Sequence, residues 1–321
     1  MSPQFVDFNA DGYTDILTAT FEGMPYVVFG GKAGFLAPEY ITDKNGDNVK
    51  LSMYYHDDGK QVWFHAEHGM PEGRKDHCVS AAAFDWDNDG DLDLLLGAYD
   101  GGLFLQRNEG TPTDSAYTGK NLIVQAAGQA LEVEGGLTAA RIVDWDGDGL
   151  KDLVCGGFKG GAYLFRNHGE LGAPRFEAAV TLVEKARNGP GLPRAPEEGC
   201  YVDPVDYDGD GDLDLLVGGY ARWTPQAPEL TEVEEAELAS LDVKMKVVDD
   251  ALSAFLKDVQ KQVDALGEDA DPEAVEELYQ AAYQGDSYEK LQGARRMLQT
   301  RIDALRPSPK RESSIWLYRR I

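Results

Sequence analysis

The chain has 321 residues, 42% of them hydrophobic, enough for one sizeable β domain plus a helical arm. Its 57 acidic and 30 basic residues give a formal charge of -27, which excludes nucleic acid as a partner because phosphates require a basic footprint. No apolar run reaches the roughly eighteen residues that a helix needs to cross a bilayer, so no membrane span is expected.

The chain opens almost directly on an aspartate-rich loop, Asp7 to Asp15. No charged segment or apolar h-region precedes it, so no signal peptide is visible. Its nine-residue pattern, D-x-[DN]-x-D-G-x-x-D, returns at Asp85 to Asp93, Asp144 to Asp152 and Asp206 to Asp214. Carboxylates this dense repel one another unless a cation sits among them, and a hard cation such as calcium prefers oxygen ligands. A single acidic turn is more often a plain β-turn, but four in register favour an ion. Side-chain oxygens at positions 1, 3 and 5 would face inward: Asp7, Asn9 and Asp11; Asp85, Asp87 and Asp89; Asp144, Asp146 and Asp148; Asp206, Asp208 and Asp210. Glycine at position 6 permits the backbone angle of the turn. Position 7 would offer its carbonyl, at Tyr13, Asp91, Leu150 and Asp212, and position 9 its carboxylate, at Asp15, Asp93, Asp152 and Asp214. About four calcium (Ca2+) sites are expected, the first lower in charge because of Asn9. An EF-hand is excluded, since neither a glutamate at loop position 12 nor flanking helices are present.

A short aliphatic run follows each loop (ILTAT, LLLGAY, LVCGGF, LLVGGY), and apolar runs such as Ala81 to Phe84 and Ala140 to Val143 precede them, so each loop joins two strands. A strand with aromatic residues comes next, at Tyr26 to Phe29, Leu103 to Leu105 and Ala162 to Phe165. Two of these run into a shared tail, RNEGTP from Arg107 and RNHGELGAPRF from Arg166, after which a fourth, outer strand fits.

Between the first two loops, Asp43 to Asn48 looks like a further calcium loop but lacks the position 6 glycine and is read as a turn. Four of the five histidines follow, His56, His65, His68 and His77, among Tyr55, Asp57, Asp58, Trp63, Glu67 and Arg74. Such a set could make a transition-metal site, an elimination or hydrolytic centre, or an aromatic-lined sugar site, and is otherwise an exposed hairpin. On one strand His65 and His68 would point to opposite faces. The three cysteines, Cys78, Cys155 and Cys200, fit no zinc spacing, and Cys155 reads as a buried small hydrophobe.

The last repeat is interrupted from Glu229 to Arg306 by a glycine-poor segment with helical periodicity. Leu238, Leu241, Met245, Val248, Leu252, Phe255 and Val259 recur at spacings of three and four, the seam of a long coiled-coil helix. A break at Gly267 to Pro272, with Asp271 as N-cap, starts a return arm. That arm carries Leu278, Ala281, Leu291, Leu298 and Leu305, with an interruption at Gly285 to Ser287. An antiparallel hairpin is expected, with Tyr279, Tyr283 and Tyr288 outside its seam as the place for a partner or oligomer contact. Strand character resumes at Ser314 to Tyr318.

Loop, aliphatic strand, aromatic strand and RNxG tail recur in order over about residues 3 to 223, and a final strand runs from Ser314 to Ile321. On these the chain resembles the FG-GAP or VCBS repeat family. The resemblance implies a mainly β fold of β-propeller blades like those of integrin α-subunit heads, with calcium between the first and second strands of each blade. The positions named above would then be its ligands. The implied organisation is four blades over 1–224, an α-helical hairpin insertion over 225–310 and a returning strand over 311–321. Four repeats are fewer than the family's common blade number, so upstream blades, strands from a partner or an unusual closure are expected. The implied function is a non-catalytic binding or adhesion scaffold for protein or carbohydrate, extracellular or periplasmic. The alternative is a polysaccharide lyase or hydrolase using the His56 to His77 segment.

Overall fold

The structure is a computed structural model that describes residues 3–20, 23–57, 60–65, 78–267 and 271–320, without the side chains of 52–57, 60–65 and 78–79. The chain divides into two compact units. One comprises Met1–Asn188, Pro193–Arg222 and Arg311–Ile321, the other Gly189–Leu192 and Trp223–Lys310.

The first unit is mainly β. Its first sheet runs β1 (Gln4–Val6), β2 (Asp15–Ala19), β3 (Pro25–Val28) and β4 (Glu39–Tyr40), in that order. A separate hairpin follows, β5 (Ser52–Asp57) and β6 (Lys60–His65). The second sheet is β7 (Cys78–Phe84), β8 (Asp93–Ala98), β9 (Leu103–Gln106) and β10 (Leu122–Ile123), and a small ladder pairs β11 (Gln125–Ala126) with β12 (Gln129–Ala130). The third sheet is β13 (Ala139–Val143), β14 (Asp152–Gly156), β15 (Ala162–Phe165) and β16 (Val180–Val183). In the fourth, β17 (Glu198–Val205) and β18 (Asp214–Trp223) are joined by a strand that returns after the helices, β19 (Lys310–Tyr318).

Every aspartate loop connects the first two strands of a sheet, and it fixes their register. The residue before position 1 pairs with the aspartate at position 9 in all four cases: Val6 with Asp15, Phe84 with Asp93, Val143 with Asp152 and Val205 with Asp214. Because successive strand residues face opposite ways, the aliphatic runs feed two cores at once. Leu94 and Leu96 pack with Leu17 and Val27 of the first sheet and with Leu51 beyond it, whereas Leu95 packs with Leu153, Cys155 and Phe165 of the third. Val154 faces the other way, into a third core with Val202, Leu215 and Val217 of the fourth sheet. Continuous rather than alternating hydrophobic runs are the signature of strands covered on both faces.

The glycine in these runs has a tertiary cause. A Cβ on Gly97 would lie 1.9 Å from the carbonyl oxygen of Thr138, and one on Gly156 would lie 2.0 Å from that of Cys200. Both oxygens belong to the start of the next sheet, so only glycine lets the two backbones meet. At the equivalent Gly218 the nearest such atom is Tyr201 O, 3.8 Å away.

The second unit contains three helices. Helix α1 (Glu232–Asp264) starts at a capping box in which Thr231 and Glu234 satisfy each other's backbone N–H groups. Helix α2 (Pro272–Tyr283) is capped by Asp271, and α3 (Asp286–Leu305) begins after Gly285. The seam residues of α1 from Leu238 to Val259 are all buried or half-buried, with Leu241 and Val259 the most enclosed. The return arm is interrupted between Gln284 and Asp286, where the sequence places the break, but Ala281 is exposed rather than in the seam. The tyrosines expected outside the seam are also engaged. The Tyr288 ring lies 5.8 Å from that of Phe255 and 5.1 Å from that of Tyr283, and the Tyr279 hydroxyl donates to Gln260 Oε1 at 3.2 Å. Tyr279 and Tyr288 are half-buried in this contact, while Tyr283 stays 41% exposed. Among the described residues no helix is long and apolar enough to cross a membrane.

The glycine geometry predicts opposite outcomes for two like substitutions. Gly156→Ala should cost about 3 kcal/mol or more, since backbone cannot yield, while Gly218→Ala should cost less than about 1 kcal/mol. Urea midpoints of the two variants test this, and equal losses would contradict it.

Candidate metal centres

The four loops share one set of hydrogen bonds. The position 1 carboxylate accepts from the backbone N–H of the position 6 glycine, at 2.9 Å for Asp7, 3.1 Å for Asp85, 3.0 Å for Asp144 and 3.2 Å for Asp206. The position 5 carboxylate accepts from the N–H of position 7, at 2.9 Å for Asp11, 3.1 Å for Asp89, 2.8 Å for Asp148 and 3.0 Å for Asp210. The glycines Gly12, Gly90, Gly149 and Gly211 have φ between 88° and 97°, the left-handed region open to glycine. Position 4 is left-handed as well, at Ala10 (56°), Asn88 (60°), Gly147 (77°) and Gly209 (78°). Spacing alone does not reveal this second turn residue, although glycine or asparagine at position 4 of three loops is its trace.

These turns bring carboxylate oxygens together. Asp85, Asp87 and Asp89 each offer an oxygen within 4.8 Å of the others, as do Asp206, Asp208 and Asp210. In the third loop the converging set is Asp144, Asp146 and Asp152, so Asp152 takes the place expected for Asp148. The first loop carries an amide at the middle position: Asn9 Nδ2 donates to Asp11 Oδ2 at 3.2 Å. Of the position 7 residues, Asp91 is 3% exposed while Tyr13 is 44% exposed. Asp87 Oδ1 and Asp91 Oδ1 are buried without a hydrogen-bond donor. An orphaned buried carboxylate oxygen is costly, and an all-oxygen set of this kind suits a hard cation.

The position 9 aspartates are almost fully enclosed, with exposures of 0% for Asp15, 1% for Asp93 and Asp152, and 2% for Asp214. One oxygen of each accepts from the N–H of loop position 2: Phe8 at 2.8 Å, Trp86 at 3.1 Å, Trp145 at 3.0 Å and Tyr207 at 3.3 Å. The other accepts from the chain just beyond the aromatic strand, from Gly30, Asn108 and Asn167 at 2.7 Å and from Arg320 at 2.9 Å. Asn108 and Asn167 then hold the tail, since the Oδ1 of each accepts from the glycine two residues on, at 3.0 and 2.9 Å. This explains the RNxG sequence, whose role the repeat pattern alone does not disclose.

Each of the first three loops also touches the next sheet through its position 2 ring. Phe8 stacks on Tyr117 at 6.5 Å, Trp86 meets Phe176 at 5.9 Å, and the Arg320 guanidinium lies 5.6 Å from the Trp145 ring. Beside Trp86 an open groove of about 530 Å³ is lined by Leu122, His168, Arg175 and Phe176, among others. His168 pairs with Glu177 at 3.1 Å, and among the described residues the groove lining includes no serine, cysteine or carboxylate. The Asp43 segment is a turn, its carboxylate accepting from the N–H of Asn45 and Asp47. His56 and His65 lie on β5 and β6, with side chains outside the described residues, and His68 and His77 lie outside them altogether. Cys155 and Cys200 are buried free thiols, and burial pushes that of Cys155 up to about 12.

Among known proteins, residues 144–217 match the FG-GAP-like repeat family, a stretch that covers the third loop, the fourth loop and the strands between them. A crystal structure of BBS1N in complex with ARL6DN, soaked with mercury, is similar at 10% identity and a TM-score of 0.28, over 68% of this chain and 76% of that one. A search of curated protein sequences finds no match.

Burial, and then the neighbouring carboxylates Asp89 and Asp85, push Asp91 up to about 6. Burial also pushes Asp93 up to about 6, against the lowering effect of its two backbone hydrogen bonds. Without metal the folded chain therefore binds these protons more tightly than the unfolded one. Stability is then present at low pH and lost as pH rises through about 6. In chelator the melting temperature should rise as pH is lowered from about 7.5 to about 5.5, the reverse of ordinary acid denaturation. Asp91→Asn should flatten the rise, and a fall over that range would contradict the assignment.

Proposed function

We propose that the four loops hold calcium and that the chain is a calcium-stabilised, propeller-type repeat protein. On this reading it is a non-catalytic scaffold that presents a surface to a protein or carbohydrate ligand outside the cell. The observation that carries the metal reading is the pair of buried, donorless oxygens Asp87 Oδ1 and Asp91 Oδ1 in a loop where Asp85, Asp87 and Asp89 converge. Calcium would be held by side-chain oxygens at positions 1, 3 and 5, assisted by position 9 and the position 7 carbonyl, and would supply charge neutralisation rather than chemistry. The FG-GAP-like match of residues 144–217 supports the same reading and the extracellular setting typical of such repeats. Four antiparallel sheets, each entered through one such loop, agree with propeller blades.

A binding role agrees with the groove beside Trp86, where an aromatic face, Leu122 and the Arg175 guanidinium lie together. The enzyme alternative draws less support. It rests on the His56 to His77 segment, most of which lies outside the described residues, whereas the FG-GAP-like match points to a scaffold.

Calcium binding to the folded state alone must raise its stability. Melting in millimolar calcium should exceed melting in excess chelator by about 5 °C or more. The double substitution Asp146→Asn with Asp148→Asn should lower the calcium value toward the chelator value. Superimposable curves for the wild type in the two conditions would sink the metal reading.

A further inference from the structure

We propose that Arg107, Arg166 and Arg319 are resident counter-cations of the second, third and fourth loops, each holding the position 3 carboxylate when calcium is absent and competing with calcium for it. The inference rests on the calcium reading given above. Arg107 is ion-paired with Asp87, and its Nε lies 3.5 Å from Asp93 Oδ1. Arg166 Nη1 lies 3.7 Å from Asp146 Oδ2, and Arg319 Nη1 lies 3.5 Å from Asp208 Oδ2.

The placement is systematic. Each arginine immediately precedes the residue whose N–H is held by the position 9 aspartate, namely Asn108, Asn167 and Arg320. The same buried hydrogen bond that pins the tail therefore delivers a guanidinium to the loop. In the fourth loop it does so although Asp214 and Arg320 are 106 residues apart. The pairing thus follows position in the sheet rather than spacing in the chain.

The first loop is an internal control. There the held N–H is that of Gly30, the preceding residue is Phe29, and the position 3 residue is Asn9. Carboxylate and guanidinium are absent together, and Phe29 packs instead on Phe8 at 6.4 Å. Among the described residues, a cation meets position 3 in the three loops where that position is charged and not in the first.

A fixed guanidinium has two consequences of opposite sign. Without calcium it screens the repulsion among the loop carboxylates. With calcium it lies near a divalent ion and must release its carboxylate. Moving a unit charge away from a divalent ion at roughly 6 Å in a water-like dielectric changes affinity about tenfold.

The test is calorimetric titration of calcium into the full chain after removal of bound metal, with parallel melting in chelator. Arg107→Gln should tighten one of the calcium sites about tenfold while lowering the melting temperature in chelator, and Arg107→Lys should restore both values. Arg166→Gln, at a more exposed arginine, serves if the first variant does not fold. Unchanged or weaker calcium binding in the Gln variants would overturn the proposal and leave the arginines as supports for the ligands. A wild-type titration without calcium binding would instead overturn the metal reading and the competition together.

Discussion

The structure depends on one buried carboxylate per sheet. Asp15, Asp93, Asp152 and Asp214 each sit at the first residue of a central strand and receive one N–H from their own loop and one from the chain just beyond the third strand. Hydrogen bonds to a charged acceptor are worth about 1.5–3 kcal/mol each, and a buried carboxylate without them would be strongly unfavourable. The side chain closes a circuit: loop, first and second strands, aromatic strand and tail are tied through two oxygens. Asparagine in its place would offer a single acceptor oxygen and turn an N–H group toward another N–H.

That circuit accounts for how the fourth sheet accommodates three helices between its second and third strands. The contact between Asp214 and Arg320 needs only that β19 returns to its place beside β18, whatever the intervening length. Loop-closure entropy grows slowly with length, so a long, self-packed insertion is tolerated there. The first three loops also reach outward to the following sheet through Phe8, Trp86 and Trp145. Ordering a loop by a bound ion would thus act on the junction between sheets as well as on the loop itself.

Much of this is legible in the sequence because it is local. The nine-residue spacing places every loop between two strands, and the strand ends follow from the closing aspartates. The seam from Leu238 to Val259 reads correctly because a helix face is set by spacing alone. What escapes is set by distant backbone. The glycine requirement at Gly97 and Gly156 comes from the neighbouring sheet, and the pairing of Arg107 with Asp87 exists only once the tail folds back. Tyr288 likewise looks free in sequence and meets Phe255 because of the turn at Gly285. Of the candidate sites, spacing brings Asp85, Asp87 and Asp89, and Asp206, Asp208 and Asp210, within reach of one another, whereas it does not disclose that in the third loop Asp152 rather than Asp148 joins Asp144 and Asp146.

The central claim is that the acidic loops are cation sites rather than solvated turns. Counting bound calcium per chain by equilibrium dialysis and elemental analysis tests it most directly. The account predicts about four ions per chain, with loss of one when Asp85, Asp144 or Asp206 is replaced by alanine. No retained calcium, or a count indifferent to those replacements, would contradict it.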